Sequence, residues 1–196
     1  MSLLLLAFSF LFYHEVIGSQ GSISSSDVTS YCVLSQKRLP NYYWRKFEGT
    51  VPHDALVGGH TSSGAITYIG QTLITNSTKN AMIPGTIYIG KKEVEAPFYG
   101  AYKGKAYTHI LCTDTPKKFH WRKVNEHELR TINEYIVVGG YEQTTTVYIG
   151  RASYENNLMV GKVFLGLPSI YILKPDNKEI RLTTFEVLVY EDEAVN

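Results

Sequence analysis

Cysteine is scarce in this chain, basic residues never cluster, and no long hydrophobic run follows the first dozen residues. Each scarcity excludes something. Two cysteines, Cys32 and Cys112, are too few for a disulfide-dense miniature scaffold or for a cysteine-rich zinc module. Lys and Arg number 19 against 18 Asp and Glu, a net charge of +1, with no basic cluster longer than a pair, which argues against nucleic acid and against anionic membrane surfaces as partners. No later apolar stretch approaches the ~20 residues of a spanning helix, so membrane insertion is not expected. Catalytic signatures are missing too. His120, Glu126, His127 and Glu128 form a polar patch, but its two histidines stand seven apart and do not give the His-Glu-x-x-His spacing of a zinc hydrolase. No Gly-x-Ser-x-Gly elbow occurs, and Gly58-Gly59 and Gly139-Gly140 lack the spaced glycines that open a dinucleotide-binding helix. The expectation is a binding protein with no enzymatic activity, no cofactor and no metal.

What is present begins with Met1 to Phe12, an apolar run of signal-peptide length that is followed by the compact Val16-Ile17-Gly18. Cleavage after Gly18 would make residues 1–18 a signal peptide and the product secreted and extracellular; a buried N-terminal strand is the alternative. Residues 19–41, serine-rich at 22–26, read as an N-terminal arm. In a secretory chain the pair Cys32 and Cys112 suggests one disulfide, which would contribute roughly 4 kcal/mol by the chain-entropy argument, and two buried thiols are the alternative. Asn76-Ser77-Thr78 is a glycosylation sequon, which makes Asn76 the candidate glycan attachment site.

Internal repetition organises the rest. Trp44-Arg45-Lys46 recurs as Trp121-Arg122-Lys123, and Ala55 to Gly59 recurs as Ile136 to Gly140, offsets of 77 and 81. Thr67 to Gln71 matches Val147 to Arg151, Ile83 to Thr86 matches Met159 to Lys162, and Tyr107 to Leu111 matches Thr184 to Leu188, offsets of 80, 76 and 77. Five blocks in fixed order define a first repeat at 42–115 and a second at 116–196. Within each, runs rich in Tyr, Ile, Val and Thr, such as 65–74, 85–89 and 183–190, alternate with Gly, Asn, Ser and Pro, which is strand-and-turn spacing. Only the polar stretch 124–133 allows a turn or two of helix. The fold class is all-β, with two pseudo-symmetric antiparallel sheet halves packed in a sandwich-like manner.

These blocks together resemble tandem DM-nine repeats, a family common in invertebrate proteins: Trp-Arg-Lys, then Val51-Pro52-His53-Asp54-Ala55-Leu56-Val57-Gly58-Gly59, Tyr68-Ile69-Gly70-Gln71, Pro84-Gly85-Thr86-Ile87-Tyr88 and Phe185-Glu186-Val187-Leu188. The resemblance runs from about Tyr42 to Tyr190. It implies lectin-like binding of mannose-type glycans, of the kind used in innate recognition, through an acidic residue after the Gly-Gly-x turn and a lysine in the Pro-Gly-Lys turn. The second repeat supplies both, as Glu142 and Lys162, while the first has Thr61 and Thr86 at those positions, which implies a degenerate site there. A carboxylate offers two acceptor oxygens and an ammonium three donors, so the pair can grip neighbouring hydroxyls without a metal. Tyr141 and Tyr148 are candidates for an apolar ring face beside the sugar. A homodimer, as some family members form, would add avidity. The competing reading is an extracellular protein-interaction or structural module using a tyrosine-rich face.

Overall fold

Strand-forming residues make up most of the described part of this chain, and glycine, asparagine and proline close its turns. The computed structural model describes residues 41–75, 80–125 and 128–191. The expected signal peptide, the arm up to residue 40 with Cys32, Asn76, Glu126 and His127 lie outside the described residues.

The first repeat contributes β1 (Tyr43–Lys46), β2 (Val57–His60), β3 (Ile66–Thr75), β4 (Asn80–Tyr88), β5 (Val94–Pro97), β6 (Ala101–Gly104) and β7 (Thr108–Cys112). The second contributes β8 (Phe119–Val124), β9 (Tyr135–Ile136), β10 (Val138–Glu142), β11 (Thr145–Tyr154), β12 (Asn157–Phe164), β13 (Leu167–Leu173), β14 (Glu179–Leu182) and β15 (Phe185–Tyr190). Two short 3-10 turns, Pro116–Lys118 and Glu128–Arg130, are the helical elements among the described residues, the second falling in the polar stretch that allows one.

All pairings are antiparallel, and the two repeats have the same strand order. In the first it runs β1, β7, β3, β4, β5, β6; in the second β8, β15, β11, β12, β13, β14. Equivalent registers coincide: Gly70 faces Gly85 as Gly150 faces Gly161, and Trp44 faces Leu111 as Trp121 faces Leu188. The all-β class with two pseudo-symmetric halves is thus the observed one.

The halves meet by more than face packing, because each lends a strand to the other. β2 lies beside β3 of its own repeat and beside β12 of the second, through Leu158↔His60. In return β10 lies beside β11 and beside β4 of the first, through Tyr141↔Met82 and Glu142↔Ala81. Glycine makes both junctions feasible: a Cβ at Gly59 would fall on the Leu158 carbonyl oxygen, and one at Gly140 on the Met82 carbonyl oxygen. The joint is further bonded where the Val160 N–H donates to Thr86 Oγ1 at 3.1 Å. Beneath it lies a core drawn from both repeats, Leu56, Ile69 and Leu111 with Val137, Ile149, Val160 and Leu188. Each such side chain contributes about 1.5–3 kcal/mol on leaving water.

Candidate functional site

Lys162 sits in the middle of β12 and is 5 % exposed. Burying an ammonium is unfavourable unless it is paired, and this one has two carboxylates. Its Nζ donates to Glu142 Oε2 at 2.9 Å and stands 3.5 Å from Glu179 Oε1. Glu142 ends β10, so the exchanged strand carries it to β12; Glu179 opens β14. Both glutamate side chains are 15 % exposed. Four rings complete the enclosure, Phe98, Tyr171, Tyr99 and Phe164, with centroids 5.4 to 5.9 Å from Nζ, within the range of cation–π attraction.

The first repeat takes part directly. Phe98 and Tyr99 belong to the turn between β5 and β6, where their rings meet edge to face at 5.0 Å. The N–H of Gly100 donates to Glu179 Oε2 at 3.1 Å and ties that turn to β14. With Oε2 on Gly100 and Oε1 beside Lys162, Glu179 has both oxygens engaged, whereas Glu142 Oε1 makes no hydrogen bond among the described residues. The arrangement therefore presents an acceptor oxygen next to a buried ammonium, inside an aromatic wall. A groove of about 640 Å³ opens beside it, bordered by Tyr99, Gly100, Tyr171, Lys178, Glu179 and Arg181.

The structure brings Glu142 and Lys162 together but does not bring the two sequence-nominated tyrosines to them. Side chains alternate along a strand, so Tyr141 points to the opposite side of β10 from Glu142 and is 40 % exposed. On β11 it is Ile149 that faces Lys162, while Tyr148 pairs with Val163 and packs on the core of Met159, Val163 and Val187. Their place is taken by Phe98, Tyr99, Phe164 and Tyr171. Phe164 could have been found by its i, i+2 spacing from Lys162. Glu179, Phe98 and Tyr99 carry no local signal, because long-range pairing delivers them.

In the first repeat the equivalent positions are otherwise employed. Thr86 is buried and its hydroxyl serves β12, while Thr61 Oγ1 accepts from the Ala65 N–H at 3.1 Å and lies 2.9 Å from Ser63 Oγ within its own turn. Across from Thr86 stands Glu95, held by Lys91 at 2.7 Å and Lys103 at 3.5 Å. Burial, and then the charge of Glu95, push the Tyr88 phenol up to about 12. Cys112 is buried, and burial pushes its thiol up to about 11, an environment that does not suit a nucleophile; its expected disulfide partner, Cys32, lies outside the described residues.

No curated protein matches the chain. Among solved structures, the crystal structure of the nematode sperm cell motility protein MFP2B has the same fold, with a TM-score of 0.54 at 13 % identity over 80 % of this chain and 48 % of that one. This chain therefore spans about half the length of that relative. The DM9 repeat model matches residues 76–181, more than half of the sequence and a span that includes Glu142, Lys162, Glu179 and the Phe98–Tyr99 turn. With that match and the duplicated strand order, the chain belongs to the DM9 repeat family.

Proposed function

We propose that this protein is a secreted lectin-like molecule that binds mannose-type glycans at the Glu142–Lys162 site, for recognition of the innate kind outside the cell. The observation that carries the reading is the 2.9 Å Glu142–Lys162 pair inside its aromatic wall. An acceptor and a donor side by side match two neighbouring hydroxyls, and the rings suit the apolar C–H face of a pyranose. The Lys162 ammonium stands between Glu142 and Glu179 where a bound cation would otherwise sit, which supports binding without a metal. The first repeat, with Thr61 and Thr86 committed to backbone contacts, supports one site per chain.

A glycan array with the secreted protein tests the reading, followed by titration calorimetry on folded variants in excess chelator. Mannose-type glycans should be retained and chelation should leave binding intact. Glu142→Gln replaces an acceptor-only carboxylate with an amide, removes a charge-assisted bond of roughly 1.5–3 kcal/mol and should weaken binding about tenfold or more. Thr61→Ala should change affinity little. A silent array alongside specific protein capture from extracellular fluid would instead make the chain an interaction module.

A further inference from the structure

The groove beside Glu142 and Lys162 is larger than one polar pair requires, and its lining has a direction. Lys162 on β12, Tyr171 on β13 and Arg181 on β14 are direct cross-strand partners, so they form one row on one face of the sheet. Two strand spacings, about 10 Å in all, separate its ends. The row passes from a buried ammonium through a ring to an exposed guanidinium that makes no ion pair among the described residues. Above it stands Tyr99, 71 % exposed and held at φ 53°, a left-handed conformation unfavourable for any residue with a Cβ. Gly100 follows at φ 118°, its N–H anchored on Glu179. Strain of this kind persists where surrounding contacts impose it, and here it fixes a large ring over the groove without burying it.

We propose that this groove is an extension subsite, in which Tyr99 stacks on the second residue of a linear oligosaccharide and Arg181 donates to that residue's hydroxyls. The ligand is then an oligosaccharide that enters by its end, the terminal sugar on Glu142 and Lys162 and the next along the row. The inference rests on the sugar reading of the Glu142–Lys162 pair. The first repeat offers no equivalent: its row is Thr86, Glu95 and Lys103, and its carboxylate and ammonium close on each other at 3.5 Å.

Calorimetric titration of the full chain with mannose, a linear mannobiose and a linear mannotriose decides the matter. Affinity should rise about tenfold from the monosaccharide to the disaccharide, one ring contact plus one charged hydrogen bond, and little thereafter. Arg181→Gln should erase much of that gain while leaving mannose affinity within about twofold, Tyr99→Ala should weaken mannobiose more than mannose because its ring also walls the pair, and Tyr99→Phe should keep both affinities. Equal affinity for mannose and mannobiose overturns the subsite and leaves the pair standing. Parallel losses for both sugars in Arg181→Gln also overturn it, because Arg181 then acts on the pair. Absence of binding to all three sugars overturns the pair and the subsite together.

Discussion

Replacing Gly140 by alanine tests how far each repeat depends on the strand lent by the other. Gly140 holds φ 149°, and a Cβ there would meet the Met82 carbonyl oxygen and carbon closer than the 3.0 Å that real Cβ atoms respect. Those are backbone atoms of β4, which cannot swing aside as a side-chain tip would. The backbone conformation itself is unfavourable for alanine by about 1–3 kcal/mol. Relief of the clash also parts β10 from β4 at Tyr141↔Met82 and Glu142↔Ala81, releasing backbone bonds of about 0.5–1.5 kcal/mol each. The total is about 3–5 kcal/mol, a large share of the roughly 5–15 kcal/mol that holds a typical domain folded. At about 2–4 °C per kcal/mol for a chain of this size, Tm should fall by roughly 6–20 °C. Gly59→Ala, aimed at the Leu158 carbonyl oxygen, should act on the same scale. Gly64→Ala is the control, with φ 84° but nothing within 4 Å, and should lower Tm by under about 5 °C. Scanning calorimetry with urea denaturation supplies the measurement. If Gly140→Ala melts with the Gly64 control, or a second transition shows the repeats unfolding separately, the reasoning about exchanged strands fails.

Lys162→Met keeps an apolar chain among the four rings but leaves Glu142 and Glu179 without their cation; it should destabilise by about 2–4 kcal/mol in urea titrations, and adding Glu142→Gln should restore part of the loss. Thr86→Val removes the hydroxyl bonded to Val160 and should lower stability by about 1–3 kcal/mol while sugar affinity stays unchanged. Burial holds the His109 imidazole below its ordinary value and leaves Nδ1 without a partner, so the folded state takes up that proton less readily than the unfolded chain. Its share of stability should therefore be full above about pH 6.5 and be lost as pH falls from there through the folded pKa, and His109→Gln should flatten that part of the stability curve. A bridge between Cys32 and Cys112 would leave no thiol to label in denaturant without reductant; two labelled thiols would exclude it.

Much of this fold was legible because duplication doubles the signal. Blocks such as Tyr68-Ile69-Gly70 and Tyr148-Ile149-Gly150 locate equivalent strands, and the local patterns around them mark turns. What local pattern does not encode is pairing between distant strands. Nothing near Val57–His60 or Val138–Glu142 announces that each will lie against the other repeat, so a face-to-face joint was the natural expectation and the exchange was invisible. The site followed the same division. Glu142 and Lys162 were nominated by the family resemblance as turn residues, but Glu142 ends β10 and Lys162 lies within β12, whereas Glu179, Phe98 and Tyr99 reach Lys162 through β13–β14 pairing and the inter-repeat joint. Tyr148, a candidate for the ring face beside the sugar, lies on the opposite side of β11 from Ile149, the residue paired with Lys162.

In the terms used for assemblies, the joint between the repeats is an isologous interface, since β2 meets β12 as β10 meets β4. Two separate chains making that contact would associate only above some concentration. Joined in one chain, the repeats meet at an effective concentration of about millimolar or more, so their union should be insensitive to dilution. Covalent linkage also releases the two sides from identity. One side can hold an ammonium between two carboxylates, Lys162 with Glu142 and Glu179, while the other holds a carboxylate between two ammoniums, Glu95 with Lys91 and Lys103. A symmetric dimer of identical chains would have to carry the same cluster twice.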